Sequence, residues 1–318
     1  MRLAAVTAIA AAVVAASLGC GSVRAPAYRA AEGPGPVWPS PPARPRVAWS
    51  GEYAARGRGY VRPHGVGVGP EGRVCVADPG ARVVWLHDPG RPGRAVGRRH
   101  LVSPIDCVLL GDRLFVADSA AGSVVAFDAR GEELWRTAAD AIERPTGMAL
   151  DRNRDRLWVA DALGHRIVAL DLEGRRVAAI GGRGSGPGQF NYPIDVAVGP
   201  RGRLFVLDAM NFRVQILDAA GTPVSSFGFA GDGPGTFSRP RGLGVDGEGR
   251  IFVADALFDN VQIFDPEGRL LLAVGRRGRG PGQFWMPAGV AIGPEGRLFV
   301  ADAYNHRVQV FRMLGEGA

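Results

Sequence analysis

The stretch GRLFVADAYNHRVQVF, residues 296–311, decides how the chain is read. Taken alone it gathers Asp302, Asn305, His306 and Arg307 within six positions, the residue types of an acid–base or metal site. Its first half has relatives, however: RVCVAD (73–78), RLFVAD (113–118), RLWVAD (156–161), RLFVLD (203–208) and RIFVAD (250–255). The terminal aspartates are Asp78, Asp118, Asp161, Asp208, Asp255 and Asp302, spaced by 40, 43, 47, 47 and 47 residues. Self-similarity at such a period marks one supersecondary unit used repeatedly. Asp302 is therefore read as a repeated turn residue, whose short carboxylate suits it to accept backbone N–H groups.

Each copy has the same grammar. It opens with Pro-x-Gly or Pro-x-Asp and an alternating apolar run such as PAGVAIG (287–293). A Gly-rich turn leads into the RLFVAD strand, a second turn into RVQVF-like alternation, and a third into a last apolar segment such as LLLAVG (270–275). Four short strands bounded by turn residues, with no helical period, predict an antiparallel unit. Six such units predict an all-β fold, a six-bladed β-propeller of four-stranded antiparallel blades. The sixth copy stops after its third strand at Phe311, while RVAWSG (46–51) matches the fourth-strand segment RVAAIG (176–181). An N-terminal strand is thus expected to close the last blade and remove its open edge.

All 38 basic residues are arginine and the formal charge is +7. With abundant Ala, Gly and Pro, the missing lysine reads as the codon bias of a GC-rich genome more than as polyanion binding. It also excludes a phosphate-binding loop, which sets a lysine on the phosphates, and Schiff-base chemistry. Arg2 and the apolar run Leu3–Ala16 have the form of a signal h-region, too short to span a bilayer comfortably. The run ends in Ser17-Leu18-Gly19-Cys20-Gly21, which resembles a bacterial lipoprotein signal. That resemblance implies lipid on Cys20, export, and an outer-membrane site, with Ser17 departing from the usual Leu. The expected organisation is a signal over 1–20, a Pro/Gly-rich tether over 21–45, the propeller over 46–312 and a tail over 313–318. The remaining Cys75 and Cys107 lie in apolar strand patterns and read as buried thiols.

The Pro-x-Gly opening, the VAD string and Asn305-His306-Arg307 together resemble the NHL-repeat family, with partial copies at Gly164-His165-Arg166 and Asn211-Phe212-Arg213. Copy five carries Phe258-Asp259-Asn260 instead, and copies one and two lack the element. The resemblance implies the propeller fold over roughly residues 46–312. It places Asn305 and His306 in a repeat signature that fills loops. Relatives of this kind include metal-dependent lyases, calcium-dependent lactonases and nucleic-acid-binding domains, so the family alone leaves the function open.

A propeller enzyme works at the mouth of its central channel, which the start of each first strand should line. The residues after each Pro are His64, Ile105, Thr146, Ile194, Arg241 and Ala288, followed by Gly65, Asp106, Gly147, Asp195, Gly242 and Gly289. Zinc needs three or four converging N, S or carboxylate ligands and this ring has one histidine. Asp106 and Asp195 are the pair that could share a channel cation, but calcium takes six to eight oxygens. No Gly-x-Ser-x-Gly elbow or CxxCH motif is present. GGRGSGPGQF (181–190) recurs as GRRGRGPGQF (275–284) and so reads as a blade connector, not a phosphate loop.

The connectors and the loops between second and third strands should emerge on one face. There they would present Arg183, Arg239, Arg241, Arg276, Arg277 and Arg279, with Tyr192, Trp285, Tyr304 and His306. Arginine and aromatic residues at an exposed rim favour binding. The sequence thus predicts a monomeric, non-catalytic, lipid-anchored envelope scaffold that engages a protein or an acidic glycan. Its only covalent group would be the lipid on Cys20. A metal-dependent lyase or lactonase at the channel mouth is the alternative. Nucleic-acid binding is the third reading, disfavoured by the export signal.

Overall fold

The computed structural model describes residues 25–44, 46–55 and 59–315. The signal and Cys20 lie outside the described residues. Five sequential groups of four strands each form an antiparallel sheet in simple up-and-down order, and a sixth sheet joins the last three strands to the N-terminus. Blade one comprises Val66–Val68, Val74–Asp78, Val83–His87 and Arg94–Val96; blade four comprises Pro193–Val198, Leu204–Asp208, Arg213–Leu217 and Pro223–Phe227. The RLFVAD segments are the second strands, and they read as continuous apolar runs because both faces are covered by neighbouring blades.

Burial is organised between blades. Six apolar clusters each draw on two adjacent blades; that between blades four and five, for example, joins Phe205 and Leu207 to Phe237, Val253 and Phe264. The Phe of each long connector belongs to this core: Phe190, Phe237 and Phe284 are at most 1% exposed. Cys75 and Cys107 are buried free thiols in the cluster between blades one and two.

Closure comes from the N-terminus. Three strands precede blade one: β1 (Ala27–Ala30), β2 (Val37–Trp38) and β3 (Val47–Ala54). Strand β3 pairs antiparallel with Arg307–Met313, setting Gly51 opposite Val310 and Trp49 opposite Phe311. The ring is therefore a six-bladed propeller whose last blade is completed from the other end of the chain.

The tether reading of residues 21–45 needs correction over the described part. Strands β1 and β2 both pair with the outer edge of β3, making the last blade a six-stranded sheet. An edge strand offers unpaired N–H and C=O groups, and this segment covers them. Side chains then fix it: Trp38 packs edge-on against Phe311 at 5.7 Å. Trp38 also fills the space above Gly282, where an added Cβ would come within 2.2 Å of its ring. At the other end, the strand read as ending before residue 313 runs through Met313, and Leu314 N–H bonds to the Arg46 carbonyl at 2.8 Å.

Candidate functional site: the channel mouth

The mouth is built by the repeated aspartates. All six are fully buried. Each accepts N–H groups from the one or two residues just before the Pro that opens its own blade. Asp78 takes Val61 and Arg62 (2.7 and 2.9 Å), Asp118 takes Val102 and Ser103 (2.8 and 2.7 Å), and Asp302 takes Trp285 (2.8 Å). Burial pushes the Asp302 carboxyl up, opposed by that N–H, by Arg307 and by Asn305. Asn305 bridges Asp302 to the Gly278 carbonyl (2.8 Å), and His306, in the left-handed region at φ 56°, has Nδ1 2.8 Å from the Val61 carbonyl of blade one. These residues join a loop to its connector and blade six to blade one.

With the lead-in held, a register shift just after the Pro in blades two to six turns consecutive side chains toward the channel. Ile105, Thr146, Ile194 and Arg241 consequently line one cavity of about 390 Å³ together with His64 of blade one, with Asp106 and Asp195 also on its wall. The two carboxylates are tied into the ring. Asp106 accepts the Met148 N–H of blade three at 2.8 Å, and Asp195 accepts Leu243 of blade five at 2.7 Å and its neighbour Val196 at 2.8 Å. Each lies over a glycine of the preceding blade: a Cβ on Gly65 would meet Asp106 Oδ1 at 2.3 Å, and one on Gly147 would meet Asp195 Oδ1 at 2.0 Å. Burial raises Asp106 to about 7 and Asp195 well above its usual range, the latter also through Asp106. The pair works as a staple between blades.

Above them, the Nδ1 of His64 lies 3.1 Å from the Ile105 carbonyl, which fixes Nδ1 as the protonated nitrogen. Nε2 is left as a lone pair facing Arg241 Nη1 at 3.4 Å. Burial, then the Arg241 charge, lowers His64 to about 4, so it is neutral over most of the pH range. A second cavity of about 300 Å³ adjoins the first and shares His64, Arg144, Arg239 and Arg241 with it; Arg62 and Tyr304 also line it. Arg62, Arg144, Arg239 and Arg241 form no ion pair among the described residues. Burial and the nearby Arg239 lower the Arg241 pKa, though a guanidinium keeps its charge.

The face expected from sequence divides in two. Tyr192, Arg239, Arg241 and Tyr304 line the cavities. Arg183, Arg276, Arg277 and Arg279 sit exposed on the connectors, outside the mouth. Arg279 lies over the Trp285 ring at 5.2 Å, and Trp285 packs on Tyr304 at 5.6 Å. His306 is exposed but held by Val61. Sequence reasoning missed Arg62, Arg144 and Met210. The first two had a signal: the residue before the opening Pro is Arg in copies one, three and five, namely Arg62, Arg144 and Arg239.

Fold and site define a six-bladed β-propeller with a ligand-sized, arginine-lined channel mouth. The NHL repeat family matches residues 190–217 and 284–311, the connector and following strands of copies four and six. The chain is a six-bladed β-propeller that carries NHL repeats over those residues. No curated protein matches it in sequence. Among solved structures it is similar to a streptogramin B lyase, at 12% identity over 85% of this chain and 98% of that one, TM-score 0.61. A gluconolactonase from Xanthomonas campestris aligns at 15% identity over 90% and 100%, TM-score 0.64. A catalytically inactive virginiamycin B lyase from Staphylococcus aureus with quinupristin aligns at 12% over 83% and 98%, TM-score 0.60. At these identities the likeness establishes the fold alone.

Proposed function

We propose that this propeller is a non-catalytic binding module of the bacterial envelope, anchored by lipid on Cys20, that engages an acidic group of its partner through the channel mouth. One observation carries the reading: four arginines converge on the mouth with no carboxylate paired to them among the described residues. Unpaired guanidinium groups suit carboxylate or phosphate, which they meet with two parallel hydrogen bonds. The outer arginines and Trp285 extend the basic surface along the connectors.

Fold likeness to lyases and a gluconolactonase favours the enzyme alternative, and the donor set tests it. Among the described residues no three His, Cys, Asp or Glu side chains converge to hold a metal ion. Asp106 and Asp195 already accept backbone N–H groups and are raised toward the neutral form. The mouth does not fit a metal, and we derive no metal-dependent step.

The test is cross-linking and recovery of partners from envelopes, comparing wild type with Arg144→Ser/Arg239→Ser and with Arg276→Ser/Arg277→Ser/Arg279→Ser. Partners lost by the first variant support the reading; the same proteins recovered by wild type and both variants overturn it. One zinc or calcium held tightly per purified chain would overturn it in favour of the enzyme.

A further inference from the structure

The larger cavity is not uniformly basic. Between Arg144 of blade three and Arg241 of blade five its wall carries Ile194, Met210, Phe212 and Tyr192, and Ile105 adds an apolar side chain from blade two. Met210 and Tyr192 are 55% and 39% exposed, large apolar groups left at the surface beside a concave space. The loop Ala209–Asn211 carries Met210, and the Met210 N–H bonds to the Asn191 carbonyl at 3.1 Å, which sets it beside Tyr192 of the connector. The floor carries Asp106 and Asp195, both bonded to backbone N–H groups. Guanidinium groups and apolar side chains therefore line the same concave space, from neighbouring blades. A volume of about 390 Å³ falls in the size range of small-molecule pockets.

We infer that the acidic group recognised at the mouth belongs to a small amphiphile: one carboxylate head taken by Arg241 with Arg144 and Arg239, and an apolar body lying over Ile105, Ile194, Met210 and Phe212. This rests on the anion-binding reading above and narrows it, since a polyhydroxylated acidic sugar would leave its hydroxyls against that wall without partners. The 3.4 Å His64–Arg241 contact is long for a hydrogen bond, so a carboxylate can take over Arg241 at small cost. His64, neutral and with its other nitrogen occupied, stays in place.

The inference separates head from body in a calorimetric titration of the full propeller with three probes: decanoate, glucuronate and decanol. Decanoate is expected to bind at least about tenfold more tightly than either of the others. Arg241→Gln should weaken decanoate at least about tenfold and leave decanol unchanged. Met210→Ser should weaken decanoate and leave glucuronate unchanged. Glucuronate binding as tightly as decanoate would overturn the amphiphile while leaving anion binding intact. Decanol binding equal to decanoate, or no binding of decanoate, would overturn the inference outright. Envelope partners that depend on Arg144 and Arg239 would in that last case still uphold the broader reading. Unchanged circular dichroism of each variant shows that a loss of binding is not a loss of fold.

Discussion

Arg241 of blade five reaches across the channel mouth to His64 of blade one, Nη1 to Nε2 at 3.4 Å, although 177 positions separate them. The contact requires His64 to be neutral, and burial together with the Arg241 charge keeps it so down to about pH 4. Removing the cation should release the imidazole. In Arg241→Gln the His64 titration, followed by NMR of its ring protons, is expected to rise above about 4, while burial, the larger cause, keeps it below 6.5. An unchanged midpoint would mean that Arg241 does not face His64 in solution.

The same lowered value makes His64 a stability determinant at low pH. Its folded pKa lies below its unfolded one, so the unfolded chain takes up a proton first, and stability falls as pH drops from about 6.5 to about 4. Asp106 has the opposite sign. It holds its proton up to about 7 when folded but loses it near 4 when unfolded, so its contribution declines as pH rises through that interval. Asp106→Asn keeps an oxygen for Met148 N–H and abolishes the titration. The melting-temperature advantage of this variant over wild type should therefore grow between pH 4 and 7. Carboxylate binding by wild type should also weaken above pH 7, as Asp106 ionises, and weaken less in the variant, where Asp195 is the remaining titrating carboxyl of the cavity.

Gly147 is required by packing against a neighbouring blade. A methyl group there would lie 2.0 Å from Asp195 Oδ1 and 2.6 Å from the Asp195 Cα, so backbone must move as well as side chain. Gly147→Ala is expected to destabilise by about 1–3 kcal/mol, the usual cost of overpacking, measured by urea unfolding. Gly182, with nothing near its Cβ position, is the control and should tolerate Ala.

Asp302→Ala should be among the costliest substitutions outside the apolar core. It strips the acceptor from Trp285 N–H and Asn305 and one partner from the buried Arg307, leaving Glu52 as that guanidinium's remaining carboxylate. Breaking a buried pair from one side costs about 3–5 kcal/mol. Asp302→Asn, which keeps an oxygen for Trp285, should lose less by the same denaturation measurement.

Trp38 tests the docked N-terminal segment. Trp38→Ala removes the contact to Phe311 and uncovers the edge of β3. A loss of about 1–3 kcal/mol is expected, together with faster proteolysis within residues 25–44. Unchanged stability and cleavage would return the segment to a tether.

What could be read from the sequence followed from repetition. Six VAD strings at a near-constant period specify six equivalent sheets, and RVAWSG betrays the closing strand because it copies a fourth strand found elsewhere in the chain. Register after each Pro located His64, Asp106, Asp195 and Arg241, since equivalent positions in a ring face the same axis. Composition misled over residues 25–44: Pro and Gly dominate there, and docking depends on Val37 and Trp38 meeting a sheet edge that exists only after the ring has closed.

The sequence by itself determined the fold, because turn chemistry and alternation act locally and are restated in every copy. Tertiary structure decided the site. The pairing of His64 with Arg241, the placing of Arg62, Arg144 and Arg239 around one opening, and the apolar wall supplied by Met210 and Phe212 depend on which blades face one another across the channel. Ring closure sets those distances, and no local pattern encodes them.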